Sequence, residues 1–443
     1  MNYASMYKSK LRSPEQAVNV IKSGDWVDYG SFTGQTVLLD KALAARKEEL
    51  RDVKIRAVCR MGVPEVVKTD PSREHFVYNN WHFSGADRKL HDKGLCNYIP
   101  LLYHEVPGLY RDFCEVDVAM MAVSSMDEHG FFNFGPQVSH HRAVCDKAKI
   151  VILEANPNIP RCLGGSGEVI HISEVDYVVE ANWPLTNVPS SKASDVDKKI
   201  ASLIMNELED GCCVQLGIGG MPYAVGEMIA RSDLKDVGIH TEMFVESMID
   251  MVESGVVTGA RKTLDQYKIV YTFAFGTQKT YEFLNNNPLC ATYSVDYTND
   301  PYVIAQNDKV MSINNCVEID LSGQVCSESS GTRHISGTGG QVDFILGAAR
   351  SKGGKGFVCM SSTYNKGETL ASRIKPILTH GAIVTATRTM ASYIVTEYGI
   401  INLKGKSTWE RAEAIVSIAH PDFRDKLVVE AEKIGIWRRS NKR

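Results

Sequence analysis

Three stretches of the chain hold residues whose types and spacing suit chemistry on a ligand. Gly217-Ile-Gly-Gly-Met-Pro222 lies between a strand-like and a helix-like segment, so its backbone amides can approach a phosphate or a developing oxyanion with no Cβ in the way. A turn required only for packing is the plainer alternative, and a dinucleotide-binding turn would need a third glycine where Pro222 stands. Glu242 closes a strand-like segment, Val237-Gly-Ile-His-Thr-Glu242-Met-Phe-Val. A carboxylate at a strand end, one α/β unit after a glycine-rich turn, belongs on the ligand-binding edge of a sheet. An exposed, solvated Glu is the commoner fate, but the apolar neighbours Ile239, Met243 and Phe244 make it less comfortable here. The third stretch, Ser336-Gly-Thr-Gly-Gly-Gln-Val-Asp-Phe344, precedes a helical run at Ile345 to Ala349 and again leaves amides free to face an anion, with Asp343 suited to support the helix start.

Two further matches are set aside. Ser351-Lys-Gly-Gly-Lys355-Gly leads into a strand rather than a helix and reads as a solvated basic turn. Lys404-Gly-Lys-Ser407 ends like a nucleotide-binding loop, but Gly399 stands one residue too far upstream to complete it.

The elements that must position these stretches alternate in α/β fashion. Helical stripes at Pro14 to Ile21 and Leu38 to Leu50 interleave with strands at Asp25 to Tyr29 and Val53 to Val58. Further strands are legible at Val116 to Val123, Ile150 to Leu153, Val175 to Glu180, Cys213 to Leu216, Ile269 to Phe273, Phe357 to Ser361 and Ile383 to Thr385. Their near-continuous apolar character suits a mostly parallel sheet covered on both faces. The polar segment Asn187 to Lys198, with its Pro and Ser, marks a domain boundary. The chain also repeats itself across that boundary: Gly24-Asp-Trp-Val-Asp-Tyr-Gly30 is echoed by Gly211-Cys-Cys-Val-Gln-Leu-Gly217, and Met126-Asp-Glu-His-Gly130 by Ile319-Asp-Leu-Ser-Gly323. The expectation is two tandem, duplicated, open α/β domains, residues 1–190 and 191–443, with mostly parallel sheets, the active site in the cleft between them and Glu242 carried by the second.

Composition bounds the function classes. A chain of 443 residues suits two domains, and 44% hydrophobic with 23% charged residues is ordinary for a soluble globular protein. A net charge of −4 argues against a nucleic-acid surface, which needs a basic excess to displace counterions. The N-terminal residues lack the apolar run of a signal peptide and no long apolar stretch follows, which makes the cytosol the expected location and excludes a membrane partner. Eleven cysteines without CxxC spacing read as buried free thiols, and no His or Cys spacing suggests a metal.

Taken in order, the Gly217, Glu242 and Gly337 stretches, with Val395-Thr-Glu-Tyr-Gly399, Ile418-Ala-His-Pro-Asp-Phe-Arg424 and Asp127-Glu-His-Gly-Phe-Phe-Asn-Phe-Gly135, resemble the acetyl-CoA hydrolase/transferase family over essentially the whole chain. Within it the sequence looks most similar to the butyryl-CoA:acetate CoA-transferases, supported by Tyr297-Thr-Asn-Asp300 and by Ile436-Trp-Arg-Arg-Ser-Asn441, with the 4-hydroxybutyrate CoA-transferases as near relatives. The resemblance implies that Glu242 becomes a CoA thioester during exchange of CoA between a short-chain acyl-CoA and a carboxylate such as acetate. It also implies CoA contacts at Gly217, Ile218, Gly219, Gly220, Met221, Asn315, Gly339, Gly340, Ser362 and Lys366. CoA would be a co-substrate rather than a tightly bound cofactor, and the enzyme a homo-oligomer, a dimer or tetramer. Lys366 and Arg373 are possible phosphate partners, and amides near Gly219 and Gly340 candidate oxyanion donors. Tyr29, Gln35, Met61 and Gln137 are candidates for the acyl pocket, on the expectation that the first domain contributes turns facing the cleft. A thioester hydrolase on the same fold is the alternative activity, since water exclusion alone separates the two outcomes.

Overall fold

The computed structural model describes residues 2–165, 167–189 and 191–436; the 437–441 part of the C-terminal motif quoted above lies outside the described residues. The chain forms two compact units that are not contiguous in sequence. The first comprises Met1–Pro189, Glu242–Glu246 and Lys268–Asn299, and the second Ser190–Thr241, Ser247–Tyr267 and Asp300–Arg443. Two short excursions, the first beginning at Glu242 itself, thus return to the first unit.

The first unit is built on a seven-stranded sheet: β1 Trp26–Ser31, β2 Val53–Val58, β3 Phe76–Asn80, β4 Asn97–Tyr98, β5 Val118–Val123, β6 Ile150–Ala155 and β7 Tyr177–Glu180, in the order β4-β3-β2-β1-β5-β6-β7. Every pairing in it is parallel. Strand β5, Val-Ala-Met-Met-Ala-Val, shows why: all six residues are buried, and alternate ones feed different cores. Val118 and Met120 join the core with Tyr29, Leu39 and Ile55, while Ala119, Met121 and Val123 join the core with Phe32, Phe132 and Phe273. A strand covered on both faces has no use for polar alternation. The chain order reverses between β1 and β5, the switch point at which open α/β sheets place ligands, beyond the carboxyl ends of the strands. Helix α1, Leu38–Ala45, follows β1 through a loop containing a 3₁₀ turn at Phe32–Gly34.

The second unit is built on β8 Cys213–Leu216, β9 Gly238–Ile239, β10 Val310–Asn315, β11 Lys355–Cys359, β12 Tyr393–Thr396 and β13 Gly399–Asn402, in the order β9-β8-β10-β11-β12-β13. It is parallel except for the closing hairpin β12–β13. Helix α2, Gly220–Ala230, follows β8, and helix α3, Gln341–Arg350, precedes β11. The strand expected at Ile383 to Thr385 is absent. Ile383 and Val384 are exposed there and the next strand is β12; two β-branched residues without a buried face to serve do not hold a ladder. The single strand expected through Val237 to Val245 is also corrected: Gly238–Ile239 pairs with β8, whereas Met243–Phe244 pairs with Phe273–Ala274.

The internal echo has a structural counterpart. In the first unit Asp127 Oδ1 accepts from the amides of His129 and Phe131, and Gly130 N–H bonds back to Asp127 O. In the second, Asp320 Oδ1 accepts from Ser322 and Gln324, and Gly323 N–H bonds back to Asp320 O. Gly130 and Gly323 have φ of 85° and 93°, a conformation in which other residues are strained.

Candidate functional site

In the second unit, β8 delivers the chain into the Gly217–Met221 turn. Gly219 has φ 125° and ψ 177° and caps α2 without any side-chain hydrogen bond. A Cβ at Gly217 would stand 2.9 Å from Asn314 Oδ1, and one at Gly219 2.9 Å from Asn315 Nδ2. Close approach therefore demands both glycines, and at Gly219 the backbone angle does so as well. Beneath the turn lies a buried amide ladder: Gln215 Oε1 accepts from Ser312 Oγ at 2.8 Å and Asn314 Nδ2 at 2.9 Å, while Gln215 Nε2 donates to Asn314 Oδ1 at 3.1 Å. Closed in this way, the ladder fixes the carboxyl ends of β8 and β10 relative to each other.

Asn315, the last residue of β10, ties the two glycine stretches together. Its Nδ2 donates to Ile218 O at 3.2 Å, and its carbonyl accepts from Gln341 Nε2 at 2.8 Å. Gln341 is the first residue of α3, directly after Gly339, which has φ 54°, and Gly340, a cap without a side-chain bond. Two helix N-termini, of eleven and ten residues, thus flank Asn315 with unsupplied amides and the positive ends of their dipoles. The Gln341 Oε1 atom is buried with no hydrogen-bond partner among the described residues. This arrangement can hold an anionic ligand by backbone donors without a lysine or arginine.

In the first unit, Glu242 precedes the short strand Met243–Phe244. Its carbonyl accepts from Thr272 N at 3.0 Å and Phe273 N at 3.2 Å. Its side chain is half-buried, and Oε2 accepts from Asn299 Nδ2 at 2.7 Å. Asn299 is itself fully buried, so the amide is a fixed donor and the carboxylate a directed one. The other nearby carboxylate, Glu246, is differently engaged: Oε2 accepts from Thr277 N at 3.1 Å, Thr277 Oγ1 at 2.5 Å and Thr280 Oγ1 at 3.3 Å, capping the helix Gln278–Leu284.

A model of the acetyl-CoA hydrolase/transferase N-terminal domain matches residues 1–189, and one of the C-terminal domain of that family matches residues 276–431. The chain belongs to the acetyl-CoA hydrolase/transferase family. Butyryl-CoA:acetate CoA-transferase of Anaerostipes caccae is 52% identical over 446 residues, covering 100% of both chains. The 4-hydroxybutyrate coenzyme A transferase of Clostridium kluyveri is 43% identical, covering 98% of this chain and 100% of that one. The crystal structure of RipA from Yersinia pestis superposes with a TM-score of 0.91 at 37% identity, over 99% of this chain and all of that one.

Against this family background the remaining candidates divide. Gln137 lies beside Glu242's support: it bridges Phe273 in antiparallel fashion, and Pro136 O and Ser139 N bond Ala274 and Thr272. Gln137 is also bonded through its amide to Thr33 Oγ1, and Thr33 N donates to Gln137 Oε1 at 3.3 Å. The ring of Phe32 stacks on Phe273 at 3.9 Å between centroids, 11° from parallel. Gln35, just beyond, donates from Nε2 to Val58 O at 2.6 Å, while its Oε1 is buried without a hydrogen-bond partner among the described residues. Met61, past the end of β2, is exposed. Tyr29 is set apart. It points into the core on the other face of the sheet, and its hydroxyl donates to Asp40 Oδ1 at 3.1 Å with Arg60 over the ring; burial and the adjacent Asp40 push its pKa well above the ordinary phenol value. Side chains alternate along a strand, so Tyr29 cannot share the face that Phe32 joins after the turn.

Among the CoA candidates, Met221 is buried in the α2 packing, which leaves its backbone as the group on offer, and Ile218 is exposed. Ser362 is fully buried, its Oγ donating to Glu397 Oε1 at 2.5 Å and its N–H to Oε2 at 2.8 Å. Lys366 is exposed at the tip of the hairpin Thr363–Lys366/Thr369–Ser372. Arg373 donates to Val317 O at 3.0 Å and lies over the Tyr364 ring. Asn299 and Gln341 were not named as site residues from sequence; their signal is only that each is an amide within a stretch already singled out, Tyr297–Asp300 and Ser336–Phe344.

Among the described residues no helix is long and apolar enough to cross a membrane.

Proposed function

We propose that this chain is a CoA-transferase that exchanges CoA between a short-chain acyl-CoA, butyryl-CoA foremost, and a carboxylate such as acetate, with Glu242 as the covalent carrier. The observation that supports Glu242 is its geometry: a half-buried carboxylate oriented by the buried amide of Asn299 at 2.7 Å. The 52% identity to a butyryl-CoA:acetate CoA-transferase over the full length, against 43% to a 4-hydroxybutyrate enzyme, favours butyryl over 4-hydroxybutyryl.

The chemistry follows from conserving an activated acyl bond. Glu242 attacks the thioester carbonyl and CoA leaves as thiolate, giving a mixed anhydride; the thiolate then attacks the glutamyl carbonyl, releasing the donor acid and leaving Glu242 as its CoA thioester. An incoming carboxylate runs the sequence backwards, so neither ATP nor external acid is consumed. Asn299 holds the nucleophile in one rotamer, which lowers the entropic part of the barrier. The uncapped amides after Gly219 and Gly340, with Asn315 and Gln341 between them, bind CoA as co-substrate, and Gln137, Gln35 and Met61 contact the acyl group. A dry site then separates transfer from hydrolysis.

The test is borohydride reduction in the presence of butyryl-CoA. A glutamyl thioester is reduced to an alcohol, seen as a mass change on the peptide containing Glu242. An enzyme that turns over without this label at Glu242 defeats the assignment. Free CoA released in the absence of any acceptor acid would identify a hydrolase instead.

A further inference from the structure

The loop that leads from β1 to α1 is held more firmly than its position at the end of a sheet requires. Phe32 within it has φ 53°, a left-handed conformation that is strained for a bulky residue and persists only where the surroundings over-determine it. The restraints are all buried side chains from distant parts of the first unit. His141 Nε2 accepts from Ser31 N at 3.0 Å and lies 2.8 Å from Ser31 Oγ. Gln137 engages Thr33. At the far end, Val37 caps α1 with no side-chain hydrogen bond of its own. Glu154, the penultimate residue of β6 and fully buried, supplies what is missing: Oε2 accepts from Val37 N at 3.1 Å, Leu38 N at 2.9 Å and Leu39 N at 3.1 Å, and Oε1 accepts from Trp183 Nε1 at 2.5 Å.

The geometry points to Glu154 as a positioning residue for acyl-group selection, acting through the loop Ser31–Val37. Its carboxylate meets the positive end of α1 and three successive amides, so the helix start is fixed in place rather than free to slide along its axis. Fixing Val37 fixes the span back to the anchors at Thr33 and Ser31, and with it Gln35 and the Phe32 ring stacked on Phe273. Phe273 N in turn bonds the carbonyl of Glu242. Glu154 touches none of the candidate substrate groups; it decides where they stand. The inference rests on the reading that this loop faces the acyl chain.

The test uses the full chain with propionyl-, butyryl- and hexanoyl-CoA as donors and acetate as acceptor, comparing wild type, Gln35→Ala, Glu154→Gln and Trp183→Phe. Glu154→Gln replaces an acceptor by an NH₂ group that faces amide donors. The expected result is a loss of chain-length preference, the butyryl-to-hexanoyl ratio of kcat/KM falling about tenfold, with Trp183→Phe moving it less and Gln35→Ala moving it in the same direction. A role confined to helix capping would lower Tm and the active fraction and leave that ratio where it was, and this outcome overturns the inference. So does a ratio shifted by Gln35→Ala but not by Glu154→Gln. Should Glu154→Gln not fold, Trp183→Phe decides: an unchanged ratio overturns the inference, a shifted one supports it. Borohydride labelling of Glu242 in the same samples reports separately on the carrier, so an unlabelled but selective enzyme refutes the thioester assignment and not the role of Glu154.

Discussion

Removing the Asn299 amide is the most direct perturbation of the proposed nucleophile. The bond from Asn299 Nδ2 to Glu242 Oε2 is 2.7 Å long, joins a fully buried donor to a half-buried carboxylate, and so belongs to the charge-assisted class. Such bonds contribute about 1.5–3 kcal/mol, which converts to roughly a 10- to 150-fold loss in kcat/KM if the bond orients the attacking oxygen in the transition state. Asn299→Ala should therefore lower kcat/KM for butyryl-CoA by that factor and slow borohydride-trappable labelling of Glu242 in step. Asn299→Asp is a sharper variant. It sets a second carboxylate against the first, and two carboxylates in one site cannot both ionise readily, so one pKa of the pair rises. The nucleophile is then partly protonated at neutral pH, and activity should recover as pH is raised, whereas Asn299→Ala should show no such recovery. The assay is kcat/KM from pH 6 to 9 with Tm measured alongside. An Asn299→Ala enzyme that folds and stays within about threefold of wild type at every pH would refute an orienting role for this amide.

Two further outcomes follow from the geometry. Gly219→Ala places a Cβ 2.9 Å from Asn315 Nδ2 at φ 125°; strain of about 1–3 kcal/mol should displace the turn and raise KM for acyl-CoA more than it lowers kcat, and an unchanged KM would count against the turn as a CoA contact. His140 and His141 are fully buried and desolvation lowers both pKa values, that of His141 to about 3. Each is neutral when folded but takes up a proton on unfolding once pH falls below the ordinary imidazole pKa of about 6.5, so the stability each confers by staying neutral is present above that pH and is lost on the way down, by about 1.4 kcal/mol per pH unit for each ring. Urea melts from pH 7 to 5 should show a slope that is shallower in His141→Gln; equal slopes would exclude His141 as a contributor.

How much of this was legible beforehand depended on whether the information was local. The glycine turns were readable because a strand, a run of small residues and a helix are contiguous, and the angles of Gly219 and Gly339 bear the pattern out. The paired Asp-x-x-Gly turns were readable for the same reason. Asn299 was not, because its role is set by a carboxylate 57 residues earlier in the chain. Glu154 falls just past the strand expected at Ile150 to Leu153, and nothing near it in sequence announces that Val37 to Leu39 need an acceptor. Val237 to Val245 carries the pattern of one strand, but pattern fixes only that residues can pair and not with what; β8 claims one end and Phe273–Ala274 the other. Ile383 to Thr385 shows the converse error: Ile383 and Val384 are exposed, and the chain meets a strand only at its end, where Thr385 N bonds Val325 O beside the single Val325–Ala386 bridge.

The interleaving of the two units has a practical corollary for anyone cutting or recombining this protein. A fragment ending at Pro189 would lack Met243–Phe244 and Thr272–Ala274, leaving the Pro136 carbonyl and the Ser139 amide without their partners and the Phe32 ring uncovered. Such a truncation should aggregate rather than fold. Chimeras with a relative must therefore transplant residues 242–246 and 268–299 together with the N-terminal stretch, three pieces of sequence inherited as one mechanical part.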